Sequence, residues 1–339
     1  SFDKELSENN IVTIQPDSLR ILHNPLTGWV LYASMGVDAA DFWAQYDHMY
    51  IPELGHNVSV TDYAHTLYIR ASWTDFNPQE DVYGWKIDSN LRAYIEGAYQ
   101  RNMRLAFRVV VDSRDKRTEF TPQFVKDAGA KGFMNKGKWS PYSDDPVFQK
   151  YYTKFVKALA KDFNDPSKVE FIDGFGLGKW GEYHTMIYST GDDTPKKAVF
   201  NWVTDIYSQA FDKVPVVINY HRWIGAGKDW VDDEHFAADS EEMLEEAIKK
   251  GYSLRHDAFG MTTYYGSWER RFAEKYRNIC PIIMEGGWIV KSHNYWQDPR
   301  GYRKDSHEDV RRGEFDDSKE AHVNMMDFRF GDTESWFKD

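Results

Sequence analysis

Val169-Glu-Phe-Ile-Asp-Gly-Phe-Gly-Leu177 is followed by residues 194–211 and then by Val214-Pro-Val-Val-Ile-Asn219. The first and last of these are short apolar runs rich in strand formers, and the middle stretch spaces its apolar residues as a helix does. Together they read as one strand-helix-strand unit. Outward in both directions the alternation repeats. It predicts eight strands, near residues 28–33, 66–71, 104–111, 169–177, 214–219, 258–263, 281–285 and 323–329, with helices over 87–101, 146–163, 194–211, 240–249 and 267–276. Eight such units fit a (β/α)8 TIM barrel better than an open, doubly wound sheet. No repeat and no Pro- or Ser-rich linker divides the chain, so 1–339 reads as one catalytic domain. Residues 306–321, in the place of a seventh helix, are highly charged, and an eighth helix would only begin at Asp332. The expectation is a very short last helix or a natural chain that continues past Asp339.

The chain carries 42 basic and 54 acidic side chains, a formal charge of −12. That balance repels phosphate backbones and anionic lipid, which makes nucleic acid and membrane surfaces poor partners. No run of about 18 apolar residues is present to span a bilayer. Residues 1–10 lack the basic-then-apolar pattern of a leader; a leader removed before Ser1 would suit a periplasmic or extracellular protein. The single cysteine, Cys280, excludes an internal disulfide and a Cys-based zinc cluster. Aromatic residues make up 16% of the chain, more than a core alone asks for and well suited to gripping sugar rings.

Barrel enzymes carry their chemistry where strands end. Two glutamates fall there: Glu182, in Phe175-Gly-Leu-Gly-Lys-Trp-Gly-Glu-Tyr-His184 after the fourth strand, and Glu285, in Pro281-Ile-Ile-Met-Glu-Gly-Gly-Trp288 closing the seventh. Each stands among apolar residues, glycine and tryptophan, a setting expected to desolvate a carboxylate. Two carboxylates across a barrel mouth are what glycoside hydrolysis needs, one to protonate the leaving oxygen and one to attack or to activate water. Trp73, Trp180, Trp223 and Trp288 each follow a predicted strand, where an indole can stack on a pyranose face. His184, His221 and Arg222 are candidates for contacts to hydroxyls. The long connections 112–145 and 286–305 lie after the third and seventh strands, where loops shape sites.

Other chemistries find less support. Gly176-Leu-Gly-Lys-Trp-Gly181 has the glycine spacing of a dinucleotide turn but neither a clear helix start nor an acidic residue about 20 positions on. Gly132-Phe-Met-Asn-Lys-Gly-Lys138 approaches a P-loop, with Trp139 where Ser or Thr must hold magnesium. Gly-x-Ser-x-Gly, an early His-x-His and His-Glu-x-x-His are all missing. Neither a cofactor nor a metal is implied.

Taken together, these features resemble the retaining glycosidases of clan A, whose barrels carry an acid/base glutamate after strand four and a nucleophile glutamate after strand seven. The resemblance spans almost the whole chain. Its best local segment, Leu67-Tyr-Ile-Arg-Ala-Ser-Trp73 running into Asn77-Pro-Gln-Glu-Asp-Val-Tyr-Gly-Trp85, looks like the second-strand region of family 42 β-galactosidases. The resemblance implies that Glu182 is the acid/base and Glu285 the nucleophile, that Arg70 hydrogen-bonds the nucleophile, and that Tyr264 or Tyr265 packs against it. Adjacent strand residues face opposite ways, so only one tyrosine can serve, and Tyr264 is preferred. Gly181 departs from the clan, which usually has Asn before the acid/base to hold the substrate 2-hydroxyl; Asn219 or His221 would have to make that contact. The form Trp-Gly-Glu, with Trp139-Ser-Pro-Tyr-Ser-Asp-Asp-Pro146 upstream, looks closer to poorly characterised glycosidase-like barrels of saccharolytic bacteria.

The reading is a retaining glycoside hydrolase acting on an oligo- or polysaccharide, with a β-galactoside-like substrate favoured and carboxyl groups about 5 to 5.5 Å apart. Two rivals stand beside it. A non-catalytic carbohydrate-binding barrel would keep the tryptophans without needing the glutamates in register. A metal-free lyase or isomerase on sugar acids would bring Lys179 or His221 closer to substrate than Glu182. Arg114, Arg117, Lys179 and Arg222 leave an acidic or sulfated glycan open.

Overall fold

The computed structural model describes residues 26–52, 54–227, 234–259, 264–286, 314 and 318–328. Eight parallel strands, Gly28–Tyr32, Ala64–Ser72, Arg104–Val110, Val169–Asp173, Val216–Asn219, Ser253–Phe259, Ile282–Gly286 and Met325–Phe328, close into a barrel in sequence order. The first strand pairs with the second (Leu31 with Leu67) and also with the eighth (Val30 with Asp327), which closes the ring. The chain is a (β/α)8 barrel.

One strand lies elsewhere than its sequence suggests. The sixth runs over Ser253–Phe259 and so starts earlier than the expected 258–263, whose residues 260–263 lie outside the described residues; Arg255, His256 and Asp257 interrupt the apolar run while remaining buried. The fourth strand ends at Asp173, and residues 174–178 beyond it form a glycine-rich loop. The fourth expected helix is longer than its apolar spacing showed, Glu234–Lys249, whereas Pro146–Phe163 and Ser267–Tyr276 stand where the spacing puts them. Most of the seventh helical region, and residue 332 where an eighth would begin, lie outside the described residues.

Strand periodicity stacks the barrel interior in two layers. Side chains two residues apart on a strand share a face. Val30, Tyr68, Ala106, Phe171, Val217, Ile283 and Met325 form the lower, apolar layer. Two residues on from Tyr68, Ala106, Phe171, Val217, Ile283 and Met325 come Arg70, Arg108, Asp173, Asn219, Glu285 and Asp327. The upper layer is therefore polar and charged, and it lies toward the strand ends that carry a barrel's chemistry.

The main core lies between barrel and helices. Pro146–Phe163 shows how a sequence builds it. The Asp145 carboxylate accepts from Phe148 N at 2.9 Å and caps the helix, proline occupies the first turn, and Phe148, Tyr152, Phe155, Val156, Leu159 and Phe163 form one buried face. The long connection after the third strand folds into a short helix, Gln123–Asp127, and a hairpin of Gly132–Asn135 with Lys138–Pro141. No described helix is long and apolar enough to cross a membrane.

Candidate active site

Glu182 sits on a loop whose backbone is unusual on both sides of it. Trp180, Tyr183 and Thr185 adopt left-handed conformations (φ 58°, 63° and 52°), and Asp115, in the facing loop, does the same at 61°. Such geometry costs roughly 1–3 kcal/mol per residue and persists only where surrounding contacts impose it. Two glycines make the loop possible. At Gly176 (φ 77°) a Cβ would meet Val109 O at 2.2 Å, and at Gly181 (φ 72°) it would stand 3.2 Å from Arg108 Cδ and 3.3 Å from Val110 Cγ2. The glycine spacing over 176–181 thus serves close packing of loop against barrel, and an Asn at 181 would have to displace Arg108.

Glu285 ends the seventh strand and is 3% exposed, against 15% for Glu182. One guanidinium lies between them: Arg70 Nη2 is 3.5 Å from Glu182 Oε1, and Arg70 Nη1 is 3.5 Å from Glu285 Oε2. Arg70 Nη2 also donates to the Trp180 carbonyl at 2.6 Å, which ties the Glu182 loop to the second strand. His184 Nε2 lies 3.1 Å from Glu182 Oε2, and its Nδ1 is 2.8 Å from the Thr185 hydroxyl.

Glu285 is surrounded by charge, not by the apolar pocket expected from its neighbours in sequence. Arg255 Nη2 donates to Glu285 Oε2 at 3.0 Å and to Asp327 Oδ2 at 2.6 Å, and Arg255 Nε donates to Asp257 Oδ1 at 2.7 Å. Arg108 extends the network, with Nε to Asp173 at 2.7 Å, Nη1 to Asp257 at 2.6 Å and Nη2 to Asn219 Oδ1 at 3.1 Å. The Tyr68 hydroxyl donates to Asp173 from below. Three arginines thus meet Asp173, Asp257, Glu285 and Asp327, almost without solvent. Burial pushes the Asp327 carboxyl up to about 7, against the pull of Arg255 and with help from Glu285. Asp257, between Arg108 and Arg255, is held well below the usual range although burial opposes this.

A small cavity of about 30 Å³ opens beside Glu182, lined by Glu182, His184, Asn219, His221, Trp223, His256, Asp257, Ala258 and Tyr264. The structure divides the expected substrate-binding residues. Trp180, half-buried, packs edge-on to His184 at 5.7 Å and stays beside the site. Tyr264 lines the cavity, while the Tyr265 hydroxyl is 2.6 Å from that of Tyr220 in the core. Trp73 requires correction. It is fully buried among Phe124, Phe148, Tyr152 and Phe155, and its indole N–H donates to Asn77, so it has no face to offer a sugar.

Asn219 and His221 line the cavity, but their polar atoms are engaged within the protein. Asn219 accepts from Arg108 and donates to Asp257 at 2.9 Å. His221 Nδ1 accepts from Trp223 N at 3.2 Å and its Nε2 donates to the Glu182 carbonyl at 2.7 Å. Both serve to hold the site; His221 has both ring nitrogens engaged, whereas the Asn219 amide has a second N–H beyond the one given to Asp257. Lys179 is paired with Asp115 at 3.0 Å. Trp288, and most of the connection 286–305, lie outside the described residues.

The residues that sequence reasoning missed are Arg108, Asp173, Arg255, Asp257 and Asp327, with His256 and Lys116. A signal existed for the first five: each stands on an inward-facing strand position where an apolar residue is the ordinary choice.

No family model matches the sequence, and no curated protein matches it. By fold the chain is similar to several solved structures. One is a mutant of TsXylA, the intracellular xylanase of Thermoanaerobacterium saccharolyticum JW/SL-YS485, in complex with xylotriose (9% identity, TM-score 0.52, over 89% of this chain and 85% of that one). Another is endo-glycoceramidase II from Rhodococcus sp. (14%, 0.52, over 89% and 72%). A third is the exo-β-1,4-mannosidase Op5Man5 from Opitutaceae bacterium strain TAV5 (12%, 0.50, over 90% and 52%). At these identities the likeness is one of fold: the barrel is shared with glycoside hydrolases.

Proposed function

We propose that the chain is a retaining glycoside hydrolase. The observation that carries this reading is Arg70: one guanidinium reaches, at 3.5 Å each, two glutamates at the ends of the fourth and seventh barrel strands. Two guanidiniums, Arg255 and Arg70, face Glu285, which in this reading attacks the anomeric carbon. Glu182, more exposed and beside the cavity, is the group that reaches a leaving oxygen. In the first half-reaction the Glu182 proton passes to the glycosidic oxygen while Glu285 forms an ester with the sugar. In the second, Glu182 takes a proton from water, and that water's oxygen displaces Glu285 from the anomeric carbon.

The fold does not choose the sugar, since the similar structures are a xylanase, a mannosidase and an endo-glycoceramidase by name. A β-galactoside-like substrate rests on residues 67–85 alone.

A panel of aryl glycosides and of plant, algal and host glycans, given to wild type, Glu182→Ala and Glu285→Ala, tests the reading. Both variants should lose activity on native glycans, Glu182→Ala should still cleave activated aryl leaving groups slowly, and azide should rescue Glu285→Ala to a glycosyl azide of inverted configuration. Glycan binding that neither variant alters, with no turnover anywhere, would favour a binding barrel instead.

A further inference from the structure

We infer that the site takes a sugar bearing an anionic substituent, a carboxylate or a sulfate, and that Lys116 is the residue that receives it. The inference rests on the hydrolase reading for the role of Glu182. Lys116 stands in the turn after the third strand, where its N–H donates to Ser113 O at 3.1 Å. That turn is fixed to the Glu182 loop by two contacts: Arg114 Nη2 donates to the Thr185 carbonyl at 2.5 Å, and Asp115 pairs with Lys179 at 3.0 Å. Ser113 is locked in turn by the Ser140 hydroxyl and the Trp139 carbonyl, each at 2.8 Å. The turn that carries the lysine is therefore tied to the loop that carries Glu182.

Its counterion is missing. Among the described residues no carboxylate lies within ion-pair distance of the half-buried Lys116 Nζ, whose recorded contact is the Phe120 ring face at 5.1 Å. The carboxylates around it are committed elsewhere. Asp112 takes Arg114 through both oxygens at 2.6 to 3.0 Å, Asp115 takes Lys179, and Glu119 accepts from Trp139 N at 2.9 Å. Glu182 is engaged by Arg70 and His184. Burial, and after it the Arg70 guanidinium, lowers the ammonium to about 8 in spite of Glu182, Asp115 and Asp112. A half-buried cation with no carboxylate at ion-pair distance among the described residues is a receptor for an anion that arrives with the substrate.

A glycan array carrying neutral, uronate-bearing and sulfated oligosaccharides tests this, probed with wild type, with Glu285→Gln to stop turnover, and with Lys116→Met and Lys116→Arg. The expected result is that bound glycans are anionic and exceed their neutral counterparts by about tenfold, the size of one charge-assisted hydrogen bond. Lys116→Met should erase that ratio and Lys116→Arg should keep most of it, and the uronate and sulfate spots identify which anion is read. Equal binding of neutral glycans, a preference that survives Lys116→Met, or no binding at all would overturn the inference. Anionic preference in a protein that never forms a glycosyl-enzyme would leave it standing and remove the hydrolase reading instead.

Discussion

Arg255 Nη2 donates to both Glu285, at 3.0 Å, and Asp327, at 2.6 Å, so the seventh and eighth strands are joined at the site by a guanidinium from the sixth. A charge-assisted hydrogen bond of this kind contributes about 1.5–3 kcal/mol. Arg255→Lys should therefore lower kcat/KM roughly 10- to 100-fold and move the acidic limb of its pH profile upward, because the carboxylate form of Glu285 loses a partner. A fall in kcat/KM with the limb unmoved would assign Arg255 to the scaffold alone.

Gly181, directly before Glu182, adopts a φ of 72°, a left-handed conformation that strains most L side chains. Gly181→Ala adds a Cβ at 3.2 Å from Arg108 Cδ in a conformation that costs an L-residue about 1–2 kcal/mol. The variant should lose at least that much stability in urea and should lose activity through the shifted Glu182 loop. Unchanged stability would contradict the described loop.

Trp73, expected at the mouth, is a core residue. Trp73→Ala should cost about 3–5 kcal/mol in unfolding free energy, while KM of the folded variant stays within roughly twofold of wild type, since no sugar contact is removed. A raised KM with little loss of stability would return Trp73 to the site.

His221 and His256 are held neutral by burial, His221 well below its usual range and His256 down to about 3. As pH falls below about 6.5 the unfolded chain takes up protons that the folded chain refuses, so this contribution is intact above about 6.5 and lost below it, at up to about 1.4 kcal/mol per histidine per pH unit. Asp327 and Glu269, both pushed up to about 7 by burial, act in the opposite direction between about 4 and 7. The difference between wild type and His256→Gln isolates the histidine: wild-type stability should fall relative to the variant between pH 6.5 and pH 5. Parallel pH profiles would mean that His256 is protonated in the fold.

The barrel was legible because seven of its strands are apolar runs with breaks around them, and the helices because their buried faces repeat at helical spacing. The sixth strand was displaced in the reading for the same reason that it matters: Arg255 and Asp257 face inward and look like loop residues in one dimension. Glu182, Glu285 and Arg70 were readable as strand-end residues, and the structure brings them together. Trp73 was misjudged because a tryptophan after a strand does not say which way it turns; a short helix, Trp73–Phe76, turns it into the core. Lys116 gave no signal, since whether a carboxylate stands near a lysine is decided by loops far apart in sequence.

The central claim is a covalent intermediate on Glu285. Wild type incubated with a panel of 2-deoxy-2-fluoroglycosyl dinitrophenolates, neutral and uronate, then digested and mapped by mass spectrometry, tests it most directly. The account predicts one glycosylated peptide, modified at Glu285 and absent from Glu285→Ala. An adduct on another residue, or none across the panel, would contradict it.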